Sequence, residues 1–316
     1  MQEEMQPARS GRRKKKRLRF RGILLLLLIA LLAAGVYVFM QYQSGYKIAE
    51  ENTESEPVSF DGDPENPDYT NILVMGVDSR GEEKSRTDTM MLLSHNKKTD
   101  EVKLTSFMRD IYADIPGYQS YKLNTAYYLG GADLLADTLR MMFGVEIHHY
   151  ALVDFSNFEQ MVDIAAPNGV EIDVEKDMSE LIGVSLEQGV HDLNGKELLG
   201  YARFRADNEG DFGRVRRQQQ VLAALKDAVI SPAAIPQYPK LAGAVKAYIQ
   251  TDISTVNQVE LAVKLAFKGG GNLERLTVPV EGSYDYANYS HAGSVIDIDV
   301  EQNRKALSEF LSQPLD

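Results

Sequence analysis

Cysteine is absent from the 316 residues. No disulfide can support the fold, and the redox state of the compartment leaves no mark in the sequence. Histidine is scarce, and His95, His148, His149, His191 and His291 show no metal-ligand spacing. There is no Walker glycine loop and no nucleophile elbow, so neither P-loop nucleotide chemistry nor serine-hydrolase chemistry has a basis here. No helix-turn-helix and no internal repeat is found. Positive charge is also short in most of the chain. Beyond residue 22 there are 25 basic against 44 acidic residues, a balance that argues against nucleic acid as a partner, since general binding to it needs a broad basic footprint.

What is present describes a globular protein, with 44% hydrophobic and 25% charged residues and enough length to bury a sizeable core. Basic residues crowd the N-terminus: residues 1–22 hold nine Lys/Arg and two Glu. The run from Arg12 to Arg21 is followed by Ile23 to Met40, eighteen residues without charge, inside a charge-free stretch from Gly22 to Tyr46. A helix of about 20 apolar residues crosses a bilayer core. The positive-inside rule then leaves residues 1–21 in the cytoplasm, 22–46 as a single membrane anchor and the remainder outside the cell. Tyr37, Phe39, Tyr42 and Tyr46 suit the outer interface. A cleaved signal peptide is the competing reading, with Ala33-Ala34-Gly35 as small residues, but a signal core runs only about 7–15 residues. Residues 47–67 are acidic and contain Pro57, Pro64 and Pro67, which reads as a linker. Length allows one large domain or two smaller ones in the remaining residues, 68–316.

That region alternates strands and helices, which predicts an α/β fold, a single α-β-α sandwich with a central mixed sheet. Apolar runs predict strands at Asn71–Asp78, Asp88–Ser94 and Val102–Phe107, the last two joined as a hairpin by the turn Asn96–Asp100. Helices are expected at Ala132–Phe143, Phe155–Ala165, Asn194–Leu199, Gly213–Val229, Leu241–Ile249, Ser254–Phe267 and Glu301–Leu311. Further strands are expected at Ile147–Val153, Val170–Val174 and Leu276–Val280.

Arginine is concentrated where lysine is missing. The fifteen residues from Arg203 to Arg217 contain five arginines and no lysine, and guanidinium grips phosphate oxygens bidentately where ammonium is a point charge. On a helix opening near Gly213, Arg214 and Arg217 are three apart and Arg214 and Gln218 four apart, on one face. A solvated basic face offset by Asp207, Glu209 and Asp211 is the plainer reading. Asp78 closes one strand and Asp88 opens the next, so a nine-residue loop containing Arg80 and Arg86 brings two carboxylates to one end of the sheet. Paired carboxylates there suit Mg²⁺, which takes one or two carboxylates plus phosphate oxygens; a structural ion-pair network is the alternative. Arg109 and Asp110 follow the third strand at the same end if the hairpin is antiparallel. Such a set is equipment for pyrophosphate.

The ordered motifs NILVMGVDSR, SRTDTMML, TSFMRDIYADIPG, KLNTAYYLGG, YARFR and GDFGRVRRQQQ resemble the LytR-CpsA-Psr family of membrane-anchored cell-wall glycopolymer transferases. The tail YSHAGSVIDIDVEQNRKALSEFL resembles the family's usual ending, which implies one domain over residues 68–316. Two positions depart from the usual pattern, Met108 where Pro often precedes the Arg-Asp pair and Thr125 where His is common. The resemblance implies transfer of a glycopolymer, such as teichoic acid or capsule, from a polyprenyl pyrophosphate carrier to a peptidoglycan acceptor, assisted by Mg²⁺ or Mn²⁺. It implies metal binding at Asp78 and Asp88, catalysis by these two and Arg109, and diphosphate contacts from Arg86, Arg109, Arg203, Arg205, Arg214 and Gln218. It also implies an apolar lipid tunnel, for which Phe143, Tyr150, Phe155 and Phe158 are candidates. A hydrolase acting on the same carrier, and a non-catalytic membrane-anchored sensor or transcriptional attenuator, are the alternative readings.

Overall fold

In the computed structural model the described residues are 11–50, 60–78, 86–254, 257–258 and 274–312. The helix expected at Ser254–Phe267 and the loop arginine Arg80 fall almost wholly or wholly outside them. The chain opens with α1 (Gly11–Glu50), within which Leu28–Ile48 is long and apolar enough to cross a membrane.

The central sheet is six-stranded. Its members are β1 (Tyr69–Val77), β2 (Thr87–Asn96), β3 (Val102–Phe107), β6 (His149–Asp154), β9 (Ile249–Thr251) and β10 (Glu274–Val278), in the spatial order β10-β3-β2-β1-β6-β9. Pairing is mixed as expected: β2 runs antiparallel to β1 and β3, whereas β6 is parallel to β1 and β10 parallel to β3. Alternation along β1 sends Leu73, Met75 and Val77 into the main core with Leu135, Leu139 and Phe143. These three lie on α2 (Asn124–Phe143), and Leu307 of α7 (Val300–Leu311) joins the same core. The opposite face carries α3 (Phe155–Ala165) and α5 (Gly210–Ile230). There Gly76 lies beneath the Phe155 ring, where a Cβ would crowd it at 3.0 Å, and Gln219 of α5 donates to Ser106 Oγ at 3.0 Å. A second core joins α3 and α5 to α4 (Gly195–Arg203) and to the hairpin β7 (Val170–Val174)–β8 (Gly189–Leu193). Layers on both faces are the predicted sandwich.

Differences from expectation have local causes. The α2 helix begins eight residues before Ala132, but it is broken at Gly130 and Gly131, the latter at φ +67°. The two glycines interrupt the helical period that a sequence reading follows. The Asn194 cap, a full capping box with Glu197, starts a helix that runs to Arg203 instead of Leu199. Four strand pairings were not anticipated. The strands β8 and β9 pair with the expected β7 and β6, and Ile249, read as the end of a helix, opens β9. The short β4 (Tyr112–Ala113) pairs with β5 (Tyr121–Lys122), and β11 (Tyr284–Tyr289) forms a hairpin with β12 (Gly293–Ile298). Half of the side chains in that hairpin's strands are exposed, so neither presents a long apolar run.

The stretch read as linker is packed against the domain in its second half. Asp63 accepts from Arg140 at 2.9 Å and from the Ile147 amide at 2.6 Å, and the Phe60 ring sits 5.1 Å from that of Tyr150. Its Glu65 meets Lys97 at 3.0 Å and His149 at 2.8 Å. The end of α1 is also docked, onto α6 (Tyr238–Tyr248). Gly45 faces the Lys240 carbonyl and Gly243 the Tyr42 carbonyl, both too closely for any Cβ. This reciprocal glycine crossing lets backbones touch, as small residues do between membrane helices. Tyr248 donates to the Ile48 carbonyl at 3.2 Å, and the Lys246 ammonium lies 5.7 Å from the centre of the Tyr46 ring. Tyr46, expected at a membrane interface, thus faces the domain.

Two outcomes follow. Gly243→Leu is expected to undock α1 and to speed tryptic cleavage after the exposed Lys47 several-fold in detergent-solubilised protein, read by gel densitometry. His149 Nδ1 also donates to Asp252 Oδ2 at 2.6 Å, and that hydrogen bond, against the cost of burial, raises its pKa. The stabilisation is complete below about pH 6.5 and fades as pH rises through the raised value. His148 is shifted down by burial and acts in the opposite sense, losing stability only as pH falls below about 6.5. The urea midpoint should therefore decline on the alkaline side, and His149→Gln should flatten that decline.

Candidate functional site

The site is assembled from the ends of three adjacent strands. Asp78 follows β1 directly. On β2, Gly76 pairs with Thr89 and Val77 with Thr87, so Asp88 is the extra residue of a β-bulge. Bulges re-aim side chains and gather beside active sites. The antiparallel register Met90↔Phe107 then puts Arg109, two residues past β3, at the same end, as the hairpin reading required.

Arg109 Nη1 donates to Asp88 Oδ1 at 2.6 Å, and its Nε lies 3.3 Å from Asp110 and 3.6 Å from Asp211. Burial alone would lower its pKa, but Asp211, then Asp88 and Asp110, outweigh burial and raise it. From the other direction, the end of α4 delivers Arg203, which donates to Asp78 at 3.2 Å while its guanidinium rests 5.5 Å from the centre of the Phe155 ring. That ring is the one admitted by Gly76. The first turn of α5 supplies Asp211 and Arg214, 3.5 Å apart. Arg214 is only 5% exposed, and its Nε is a buried donor with no hydrogen-bond partner among the described residues. Burial, and then Arg109, lower the Arg214 pKa, outweighing the opposing pull of Asp211 and Asp88, with the exposed Arg205 adding to the lowering. A buried guanidinium whose two carboxylates do not offset burial and its neighbouring arginines can gain from an anionic ligand.

Asp78, Asp88, Arg109, Arg203, Arg205 and Arg214 thus converge. Gln218, one turn beyond Arg214, is buried on the same helix. Arg86 is exposed and turns to the Tyr128 ring, 5.5 Å from its centre. Arg214 and Arg217, expected to share a face toward ligand, serve different ends. Arg217 is fully buried, bound to Glu175 at 2.6 Å, to Asp207 and to the Phe204 carbonyl. Arg216 joins it by binding Glu175 and Glu209. The plainer reading holds in its pairing and not in its solvation: Asp207, Glu209 and Asp211 offset Arg217, Arg216 and Arg214, but Arg214 and Arg217 are buried. Glu175, Asp207 and Glu209 are close enough to hold a cation, but Arg216 and Arg217 already neutralise them. The aromatic residues proposed for a lipid tunnel do not share one space. Phe143 and Tyr150 belong to the main core, Phe158 packs on the second, and Phe155 supports Arg203.

Lys122 and the role of Asp211 escaped sequence reading. Lys122 Nζ binds Asp110 at 2.7 Å, and Asp110 and Asp211 both face Arg109 Nε. Burial is the main reason that the Asp211 carboxyl is pushed up, with Asp110 adding to it against Arg214 and Arg109. The helix starts at Gly210, three residues earlier than expected, so the i,i+3 spacing of Asp211 and Arg214 was the available signal.

The profile of the LytR_cpsA_psr family matches residues 35–307. The chain belongs to that family. Among its relatives, Regulatory protein MsrR of Staphylococcus aureus strain COL is 44% identical over 279 residues, 88% of this chain and 85% of that protein. The polyisoprenyl-teichoic acid–peptidoglycan teichoic acid transferase TagU of Oceanobacillus iheyensis is 32% identical over 284 residues, 84% and 86% of the two chains. The crystal structure of B. subtilis TagV matches with a TM-score of 0.66 and 27% identity, across 79% of this chain and all of that one. The LytR_cpsA_psr fold is accordingly the α/β sandwich described above.

The two arginine sets predict opposite thermodynamics. Arg217→Ala empties a fully buried site and leaves Glu175 only Arg216 and Asp207 only the half-exposed Lys176, and should cost about 3 kcal/mol in urea unfolding. Arg214→Ala removes a charge that its surroundings only partly balance, and should change stability by less than about 1 kcal/mol.

Proposed function

We propose that the protein is a membrane-anchored phosphotransferase that moves a glycopolymer from a polyprenyl pyrophosphate carrier to a hydroxyl of peptidoglycan at the outer face of the membrane. The convergence of Arg109, Arg203 and Arg214 with Asp78 and Asp88 carries this reading, together with kinship to a teichoic acid transferase. Teichoic acid is the polymer that the kinship favours. The basic residues that open α1, Arg12 to Arg21, support a cytoplasmic N-terminus and an external domain.

Asp78 and Asp88 offer only hard carboxylate oxygens, a donor set that fits Mg²⁺ or Mn²⁺ completed by phosphate oxygens. Held there, the cation would neutralise diphosphate charge. With these carboxylates so engaged, Arg109 and Arg203 can turn their forks to the phosphates, and Arg214 presents its unpartnered Nε. In the transfer the acceptor oxygen forms a bond to the phosphorus that bears the polymer. The bond from that phosphorus to the carrier's own phosphate breaks, and polyprenyl phosphate leaves. Arginines stabilise the charge that accumulates on the leaving phosphate. The hydroxyl proton passes to a strand-end aspartate, Asp78 or Asp88.

Water in place of the sugar hydroxyl would make the same site a hydrolase, and the released product separates the two. The regulatory name of the 44% identical relative favours a second reading, a membrane-anchored sensor without turnover. Arg109→Ala and Asp78→Ala should each lower transfer at least about 100-fold while retaining the wild-type melting transition, and chelation should abolish activity until Mg²⁺ is restored. Near-normal turnover by either variant would exclude the assignment, and substrate binding without turnover by the wild type would favour the sensor.

A further inference from the structure

Beside Arg109 lies a pocket of about 250 Å³ lined by Met108, Asp110, Lys122, Asp211, Tyr286 and the β12 segment Ser294–Ile296. Its parts differ in character. Met108, Val295 and Ile296 are almost fully buried and offer it an apolar base. Asp110, Lys122 and Asp211 give it two carboxylates and an ammonium. Tyr286 is 70% exposed and stands at its rim. The Tyr286 ring meets Tyr284 edge-on at 5.9 Å, and Tyr284 stacks on Phe212 at 5.1 Å, the residue after Asp211. The β12 wall is pinned to the site, because the Ile296 amide donates to the Asp110 carbonyl at 2.9 Å. The hairpin β11–β12 therefore has a fixed place against the catalytic strand ends.

The chemistry of the lining narrows the ligand. The cations here are already engaged: Lys122 and Arg109 bind Asp110, and Arg109 and Arg214 lie beside Asp211. A phosphate therefore finds no free cation among the described residues of the pocket and meets two carboxylates. A hydrocarbon tail would desolvate these charged groups without replacing their hydrogen bonds. A neutral polyol meets none of these costs: its hydroxyls both donate to Asp110 and Asp211 and accept from Lys122, and its C–H face packs on an exposed aromatic ring. Pockets for drug-sized ligands run about 300–1,000 Å³, so this one suits a single sugar ring.

We propose that this pocket is the acceptor subsite, which binds one neutral sugar of the peptidoglycan glycan strand. Tyr286 stacks on the ring, and the Asp110–Lys122–Asp211 group fixes the hydroxyls next to Arg109. The proposal rests on the transferase reading. It gives the unforeseen β11–β12 hairpin a function and separates the acceptor from the donor diphosphate by the width of the Asp110–Asp211 pair.

The chain has no tryptophan, so Tyr286→Trp places a unique fluorophore at the rim. Soluble, uncrosslinked glycan of alternating N-acetylglucosamine and N-acetylmuramic acid should change its emission saturably. Adding Lys122→Ala should weaken that binding about tenfold. In transfer assays Tyr286→Ala should raise the KM for the glycan at least fivefold and leave the Kd for polyprenyl pyrophosphate unchanged. No saturable emission change in folded Tyr286→Trp protein, together with an unaltered glycan KM in Tyr286→Ala, overturns the subsite. A Tyr286→Ala effect confined to the carrier overturns it as well, assigning the pocket to the donor. Binding of polyprenyl pyrophosphate to the wild type is measured in parallel. Its presence without a glycan response defeats the subsite alone, whereas its absence defeats the transferase reading.

Discussion

A guanidinium carried into a protein interior loses its hydration, and carboxylates or an anionic ligand must replace it. The α5 helix imposes this condition twice within four residues. Arg217 meets it inside the protein, with Glu175 and Asp207. Arg214 meets it only in part, through a single 3.5 Å contact with Asp211 and against repulsion from Arg109. One helix therefore holds a fully paired arginine that fixes the fold and a less fully compensated one on which the proposed diphosphate site is built. The bulge at Asp88, the turn after β3 and the end of α4 each bring a charged residue to the same end of the sheet as Arg214.

The placement of Phe155 shows how strictly the backbone serves this arrangement. Gly76 removes a side chain from β1, the Phe155 ring occupies the space, and Arg203 lies over that ring while reaching Asp78. A polar contact at the site is thus supported by packing on the opposite face of the sheet from the main core. Precision of this kind comes from secondary structure beneath the charged groups.

Much of this was legible before any coordinates. The apolar runs at Asn71–Asp78 and Val102–Phe107, the Asn194 cap and the arginine-for-lysine bias around Arg203 each report a physical demand that few residue types can meet. The antiparallel hairpin was enough to place Arg109 beside Asp88. What escaped was governed by tertiary context. Arg216 and Arg217 look like Arg214 in sequence, and only the position of Glu175, some forty residues earlier, distinguishes them. Lys122 sits on a two-residue strand with no pattern to announce it. The β11–β12 hairpin is half-exposed, so its alternation is not apolar. The aromatic residues named for a tunnel were chosen by type, and type alone does not say which of two cores a ring will join.

The glycine crossing of α1 and α6 changes what an anchor is mechanically. A catalytic domain on a slack tether samples a hemisphere of positions and orientations, and its encounters with substrate are averaged over all of them. A helix whose last turns are bolted backbone-to-backbone onto the domain transmits its own tilt and rotation to everything attached. The mouth of the site then has a set height and bearing relative to the bilayer, like a tool on a rigid mount. A lipid-borne donor diffusing in two dimensions would meet the same face of the protein at every approach.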